Sequence, residues 1–261
     1  MKLKSNFIAA AMILGWMSNG AVAAPHWTHE EQADWGAIED PTQTTAPLMY
    51  PYAECSIGTH QSPVDLGGQS NARKLNTLQV KYTKDKPDFY NSGHAVQVNS
   101  SANYKGELKI GNDLYPLIQY HFHAPSEHVI NGTTYPAELH FVHIREDGRI
   151  AVLGVLLEEG AANETLQTIL DNVKPTASEH NANTGIEINP KSLLPHDVSH
   201  FYTYAGSLTT PPCSEGVSWY VLAKPVAVST AQLSQLESLY SDNARHAQAL
   251  NGRVVTGKVK N

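Results

Sequence analysis

Two short segments near the middle of the chain contain five of its 13 histidines. They read QYHFHAPSEH at 119–128 and ELHFVH at 138–143. A catalytic zinc ion takes three protein ligands, often neutral imidazoles, and keeps its fourth position for water, whose pKa it lowers to about 7. These residues could therefore support zinc-assisted attack of water on a substrate, provided that the fold brings three of the rings to one point.

β-strands would bring these rings together. In LIQYHFH (117–123), strand geometry places Gln119, His121 and His123 on one face, whereas a helix would set residues i and i+2 about 200° apart. The second run places Glu138 and His140 on one face. If the two strands are neighbours, we predict that His121, His123 and His140 bind zinc. Gln119 and Glu138, each two positions before a ligand, would then hold the second ring nitrogen of those histidines.

The competing interpretation is a set of hydrogen-bonded core histidines or a surface cluster. An isolated H-x-H pair would favour it, but the third histidine and the matched polar residues favour zinc. No cysteine or additional carboxylate is placed to complete a closed structural site with four ligands. His128 and His143 do not fit the proposed ligand face, so we expect them to make structural hydrogen bonds.

The elements that must position these residues are strands. Short alternating runs bounded by turn residues occupy 75–160, and AVLGVLL has the continuous apolar pattern of a strand covered on both faces. Two helices are predicted, one capped by Asn163 before ETLQTILDNV and one opened by a capping box of Ser229 and Gln232. No repeat or linker divides the chain. We therefore predict a mainly β (α+β) fold in a single domain.

The first 23 residues have the three parts of a secretory signal peptide. Lys2 and Lys4 precede a short apolar run, and Ala21-Val22-Ala23 supplies a cleavage site. The alternatives are a membrane anchor or a buried first helix, although the run is short for a membrane span. We predict a signal peptide at 1–23, a catalytic domain at 24–261, and no membrane association after cleavage.

Charge and cysteine content narrow the function further. The net charge is −7, and it becomes −9 without residues 1–23, which contribute two lysines and no acids. An acidic chain without a basic run is a poor nucleic-acid binder, so we expect no nucleic-acid partner. In an oxidising compartment the two cysteines, Cys55 and Cys213, are expected to form one disulfide; the alternative is two buried free thiols.

The histidine segments also resemble the zinc-binding signature of the α-class carbonic anhydrases. Further similar segments follow in family order over nearly the whole mature chain: HW at 26–27, QSPVDL at 61–66, NSGHAV at 91–96, AVLG at 151–154, YTYAGSLTTPPCSEGVSW at 202–219 and NARHAQALNGR at 243–253. The chain is most similar to the exported bacterial-type members. The resemblance implies a central, mostly antiparallel twisted sheet of about ten strands with short peripheral helices.

The resemblance also implies a role for each matching residue. His121, His123 and His140 would bind one Zn²⁺, with Gln119, Glu138 and Asn243 in supporting positions. Thr209 would accept a hydrogen bond from hydroxide at the metal and donate its own to Glu127. His94 would carry protons to solvent. The residues implied to contact CO2 or bicarbonate are Val142, Val152, Leu208, Thr209, Thr210 and Trp219.

The activity implied is reversible hydration of CO2 to bicarbonate and a proton, with ester hydrolysis as a side activity. Sulfonamides and inorganic anions are the implied inhibitors, a disulfide between Cys55 and Cys213 fits the pattern, and a homodimer is compatible with it. The location expected is the periplasm or the secreted fraction. The alternative is a non-catalytic zinc-binding or carrier protein on the same scaffold. One departure is His29, where many members have tyrosine.

Overall fold

The computed structural model describes residues 24–68, 70–71, 75–182 and 184–259. The predicted signal peptide lies outside these residues and stays a prediction. Within the described residues no helix combines the length and apolar character needed to cross a membrane.

The described part of the chain is built mostly from strands. It contains three α-helices, α1 Glu54–Ile57, α2 Glu164–Asn172 and α3 Thr230–Leu239, and 3-10 turns at Trp35–Ala37 and Pro190–Leu193. Its strands are β1 Ser70–Asn71, β2 Leu78–Lys81, β3 Asp88–Asn91, β4 Val96–Asn99, β5 Glu107–Ile110, β6 Asp113–His123, β7 Val129–Ile130, β8 Thr133–Thr134, β9 Ala137–Ile144, β10 Ile150–Glu159, β11 His180–Asn181, β12 Phe201–Ser207, β13 Glu215–Val228 and β14 Thr256–Lys258. The prediction of a strand-rich fold with few short helices is confirmed.

Twelve of these strands form one sheet. Ten follow the order β1-β14-β12-β13-β10-β9-β6-β4-β3-β11, and β5 links β2 to β6 at the side. Most neighbouring pairs are antiparallel, as expected, but β10 with β13 and β1 with β14 are parallel, so the sheet is mixed. The chain must cross over between β10 and β13, and α2 lies in that connection.

The central strands β9 and β10 are covered on both faces. Tyr120, Phe122, Leu139 and Phe141 point to one face, where they join the larger hydrophobic core. The opposite face carries the histidines and a second apolar cluster around Trp219. Burial on both sides explains why the sequence of β10 shows no alternation of polar and apolar residues.

Both predicted helices have the predicted caps. The Asn163 side chain accepts hydrogen bonds from the backbone N–H groups of Thr165 and Leu166 at the start of α2. Ser229 and Gln232 form a complete capping box at the start of α3. The short helix α1 was not predicted; it carries Cys55, which is joined to Cys213 by a disulfide.

Candidate metal centre

His121, His123 and His140 come together at the junction of β6 and β9. His121 lies directly opposite His140 in the antiparallel pair, and His123 lies two residues further along the same face. One ligand-capable atom from each of the three residues lies within 4.8 Å of the other two. The three ring centroids are 4.6–5.4 Å apart. The adjacency of two strands therefore produces the cluster that the spacing predicted.

Hydrogen bonds determine which nitrogen of each ring stays free. Nδ1 of His121 lies 2.9 Å from Oε1 of Gln119, and Nδ1 of His123 lies 2.7 Å from the backbone oxygen of Asn243. Nε2 of His123 is buried and has no partner within the described part of the chain. His140 is turned the other way: its Nε2 lies 3.0 Å from Oε1 of Glu138, with poor N–H alignment, which leaves Nδ1 free.

This arrangement fits a zinc ion. Burial lowers the pKa of all three histidines, so each ring is neutral near pH 7 and keeps one lone pair for a cation. Two rings offer Nε2 and one offers Nδ1, and the buried Nε2 of His123 has no hydrogen-bond partner among the described residues. A set of three imidazoles with hydrogen-bonded outer nitrogens is typical of an open zinc site.

Glu138 is held as a carboxylate behind His140. Oε2 accepts the backbone N–H groups of Glu127 and His128 at 3.0 and 2.8 Å, and Oε1 lies 2.7 Å from Nδ1 of His128. Burial opposes ionisation of Glu138, but the contacts with His128 and His140 outweigh it and hold the pKa of Glu138 well below its usual range.

Glu127 lies under the rings of His123 and His140, with carboxylate oxygens 3.6 and 3.8 Å from their Nδ1 atoms. Oε1 accepts the backbone N–H of Arg245 at 2.8 Å. Burial raises the pKa of Glu127 to about 7, although His140 and the nearby Thr209 hydroxyl lower it. Oε2 has no well-aligned partner in the described residues. A cation held by the three histidines would lower this pKa further.

An apolar row lies beside the histidines. Val142 on β9 pairs with Val152 on β10, which pairs with Trp219 on β13, so the three side chains stand side by side on the histidine face. All three are buried, and the Trp219 ring lies 4.8 Å from that of His140. Leu208 packs against this cluster. The resemblance implied that these residues contact CO2, but no local pattern indicated their alignment, because it depends on the parallel pairing of β10 with β13.

Thr209 and Thr210 follow β12 in a tight loop. The backbone N–H of Leu208 donates to the oxygen of Ser214, and that of Cys213 donates to the oxygen of Thr210. The Trp219 indole N–H donates to the backbone oxygen of Ser207 at 2.9 Å. Thr209 is buried and Thr210 is half-buried. The disulfide to Cys55 lies at the end of this loop.

Asn243 and His94 lie at the other side of the site. The Asn243 side chain donates to the backbone oxygens of His94 and Phe122 and accepts the N–H of Ala124, so it binds three backbone groups around β6. The His94 ring stacks on Trp27 with centroids 3.8 Å apart and an interplanar angle of 7°. Burial, followed by the proximity of His26, lowers the pKa of His94. His94 is therefore a half-buried stacked residue and not an ordinary exposed turn histidine.

His29 lies in an aromatic setting next to His94. Its ring makes edge contacts with Trp27 and Trp35, at centroid distances of 5.3 and 5.7 Å. Nε2 is buried and finds no hydrogen-bond partner among the described residues. Burial lowers the pKa of His29 to about 3, so the ring is neutral near pH 7.

Three buried residues near the site were not predicted to contribute to it. Arg245 donates from its guanidinium to Gln61, to the backbone oxygen of Ser62 and to that of Cys55. His128 contacts Glu138, and Tyr204 contacts His128 at 2.7 Å. His128 makes hydrogen bonds, as expected, but it extends the metal-site network instead of standing apart from it. The sequence carried no signal for Tyr204, which is distant along the chain.

Comparisons with known proteins identify a family for this chain. A family model described as eukaryotic-type carbonic anhydrase matches residues 45–259. The chain is 35% identical to a carbonic anhydrase of Pectobacterium atrosepticum over 97% of its own length and 99% of that protein. It is similar to the structure of an α-carbonic anhydrase from Thermovibrio ammonificans in complex with the inhibitor sulfanilamide (TM-score 0.80, 36% identity, 90% of this chain and 100% of that one).

A structure of dioscorin complexed with ascorbate shares the fold as well. It has a TM-score of 0.74 and 32% identity, and the similarity covers 88% of this chain and 95% of that one.

The match of the family model over most of the chain, together with full-length similarity to curated bacterial enzymes, decides the family. The chain is an enzyme that belongs to the eukaryotic-type, or α-class, carbonic anhydrase family.

Proposed function

We propose that this protein is a zinc enzyme that interconverts CO2 and bicarbonate, with His121, His123 and His140 as the ligands of one Zn²⁺. The observation that carries the proposal is the set of three neutral rings, two buried and that of His121 half-buried, whose ligand-capable atoms all lie within 4.8 Å of one another. When bound, zinc supplies a Lewis acid that lowers the pKa of water to about 7.

The surrounding residues would bind CO2 and orient the attacking water. The apolar row of Val142, Val152 and Trp219, with Leu208, suits CO2, which has no net charge and little hydrogen-bonding capacity. Thr209 follows Leu208 in the chain and lies near Glu127. Its hydroxyl would donate to the carboxylate and accept from the attacking water, which orients the oxygen lone pair toward CO2. Thr210 would border the same position.

His94 would accept the proton that each hydration cycle releases. Its half-buried ring is stacked on Trp27, and a histidine can exchange protons with solvent near neutral pH through intervening water. Gln119, Glu138 and the backbone oxygen of Asn243 would hold the outer nitrogens of the ligand rings. These contacts keep the free nitrogens aimed at a common point.

The proposal extends to inhibitors and location. Sulfonamides and inorganic anions would bind at the metal, as suggested by the relative from Thermovibrio ammonificans in complex with sulfanilamide. Activated esters would be hydrolysed slowly. The disulfide supports export to an oxidising compartment such as the periplasm, after removal of residues 1–23. N-terminal sequencing of the mature protein tests that cleavage.

Stopped-flow CO2 hydration by the oxidised mature protein tests the function. Turnover should disappear when zinc is chelated and return in proportion to added zinc, up to one ion per chain. His123→Ala should abolish both zinc retention and turnover, whereas His246→Ala, at an exposed position, should change neither. No turnover in a folded, fully zinc-loaded sample would instead favour the non-catalytic zinc-binding or carrier protein.

A further inference from the structure

A buried chain of polar contacts runs from His140 on β9 to Tyr204 on β12, along the face of the sheet that carries the histidines. His140 contacts Glu138, whose Oε1 lies 2.7 Å from Nδ1 of His128. Nε2 of His128 lies 2.7 Å from the hydroxyl of Tyr204 on β12. Each of these side chains is at most 5% exposed. The chain therefore joins β9, where His140 is located, to β12 through groups that water does not reach.

The chain continues from β12 into the loop that carries Thr209. The Tyr204 hydroxyl lies 2.9 Å from Oγ of Ser62, which also accepts the backbone N–H of Ser207 at 3.0 Å. The hydroxyl of Ser207 in turn accepts the N–H of Ser62 and donates to the backbone oxygen of Leu208 at 2.7 Å. Ser62 and Ser207 thus form a reciprocal pair immediately before Thr209.

The available hydrogen-bond donors and acceptors determine how the groups nearest His140 are oriented. An ionised carboxylate only accepts hydrogen bonds, so Nδ1 of His128 must donate to Glu138. Two backbone N–H groups occupy the other oxygen of Glu138. With both oxygens occupied, the Glu138 carboxylate has one orientation available, and Oε1 stays beside Nε2 of His140. The free nitrogen of His140 that faces the other two ligands is therefore Nδ1.

Two members of this network, His128 and Tyr204, pack against Trp219. The Tyr204 ring lies parallel to Trp219, with centroids 6.2 Å apart, and the His128 ring meets the edge of the same indole at 4.8 Å. Removing one member would leave its neighbour buried without a partner, which costs more than the lost bond itself. The effect of such a change should therefore pass along the chain instead of being absorbed by water.

We propose that His128 and Tyr204 are positioning residues that orient His140 for zinc and couple it to the loop of Thr209. The inference rests on the proposed zinc site. Neither residue touches the three free ligand nitrogens or the proposed substrate position. Their role is to hold Glu138 in place and to tie the ligand on β9 to Ser207, so that the metal and Thr209 keep a constant separation.

Tyr204→Phe tests the proposal, with Tyr202→Phe as the matched control. Tyr202 lies on the same strand and in the same apolar cluster, and its hydroxyl makes no hydrogen bond to the described residues. In the zinc-loaded proteins, transfer of zinc to a chelator should be about tenfold faster in Tyr204→Phe, the lower end of the range for outer-shell changes. The visible spectrum of its Co²⁺-substituted form should shift, and kcat for CO2 should fall, while Tyr202→Phe matches the wild type in all three.

A purely structural role would give a different result. Tyr204→Phe would then melt at a lower temperature but retain the zinc transfer rate and the Co²⁺ spectrum of Tyr202→Phe, and this outcome overturns the inference.

His128→Asn and His128→Ala provide a second test, because only the asparagine keeps a donor near the position of Nδ1. Zinc transfer should be slower in His128→Asn than in His128→Ala; equal rates would also contradict the proposal. If the wild type retains no zinc, the proposed function itself fails. If the wild type retains zinc but Tyr204→Phe gives the same results as Tyr202→Phe, this inference alone fails.

Discussion

Gly154 on β10 lies directly opposite His140 on β9, and a Cβ atom on Gly154 would stand 3.0 Å from Oε1 of Glu138 and 3.2 Å from Val221. Both contacts are tighter than ordinary van der Waals distances. The missing side chain therefore leaves the space in which the Glu138 carboxylate meets His140. This glycine is required by close approach, since its backbone φ is not positive.

Gly154→Ala should therefore weaken zinc binding by displacing Glu138. We expect about a tenfold loss of zinc affinity, as for other changes behind a metal ligand, and a stability cost of about 1–3 kcal/mol from overpacking. Competition with a zinc chelator and urea unfolding measure the two effects. Val155→Ala, on the opposite face of the same strand, should lose stability but keep the wild-type zinc affinity. Equal zinc affinities in the wild type and Gly154→Ala would contradict this account.

Glu127→Gln should reduce catalysis more than zinc binding. The amide oxygen can still accept the N–H of Arg245, so we expect a folded protein, but the amide no longer provides a carboxylate for the hydroxyl of Thr209. A fall in kcat/KM of about 10²–10³ is typical for loss of one such orienting group. Stopped-flow hydration assays compare it with Glu158→Gln, an exposed change at the end of β10 that should be silent. Near-wild-type turnover in Glu127→Gln would remove Glu127 from the mechanism.

His94→Ala should slow proton release without changing the attack on CO2. We expect kcat in weak buffer to fall by about tenfold or more, and added imidazole to restore much of it, because the small base replaces the missing ring. Isotope exchange between CO2 and bicarbonate at equilibrium, which does not require proton release, should be unaffected. His246→Ala is the control. An unchanged kcat in weak buffer would show that protons leave by another route.

The buried His143 should make the protein less stable in mild acid. Nδ1 donates to the backbone oxygen of Ala151 and Nε2 accepts from the Tyr82 hydroxyl at 2.6 Å, an arrangement that only the neutral ring allows. Burial lowers the pKa of His143 from 6.5 to about 3. Below pH 6.5 His143 becomes protonated in the unfolded chain but stays neutral in the folded protein. Its contribution to the free energy of unfolding is therefore fully present above pH 6.5. This contribution falls as the pH decreases toward 3, by up to about 1.4 kcal/mol per pH unit.

Urea unfolding of zinc-loaded wild type and His143→Gln between pH 7.5 and 4.5 isolates this contribution. The variant should be less stable at pH 7.5, but its stability should fall less steeply with acid, because contributions from the other histidines are common to both proteins. Parallel pH profiles for the two proteins would mean that His143 does not titrate differently on unfolding.

Reduction of the disulfide should destabilise the protein. Cys55 and Cys213 are separated by 158 positions, and closing a loop of that length contributes about 5 kcal/mol in the chain-entropy model. The melting temperature of the wild type should drop on adding a strong reductant. The variant with both cysteines replaced by alanine should melt near the reduced wild type, and the reductant should not change its melting temperature. A wild type that melts identically with and without reductant would contradict the prediction.

The sequence by itself determined the local features. Alternation in LIQYHFH and ELHFVHI identified the strands and the shared face of the histidines, because side-chain direction in a strand depends only on position along it. The caps at Asn163 and at Ser229 were also readable, since a cap is a contact between residues two or three positions apart. Gln119 and Glu138 were found beside their histidines for the same reason.

Features that depend on contacts between distant segments were decided only by the tertiary structure. The parallel pairing of β10 with β13 aligns Trp219 with Val152, and no local pattern in either strand specifies that partner. Tyr204 reaches His128 across 76 positions, and the backbone of Asn243 reaches His123 across 120. Such contacts depend on the register of a whole sheet, which is set by the summed packing of both faces. The sequence thus identified the three histidines proposed to bind zinc, and the fold supplied the network around them.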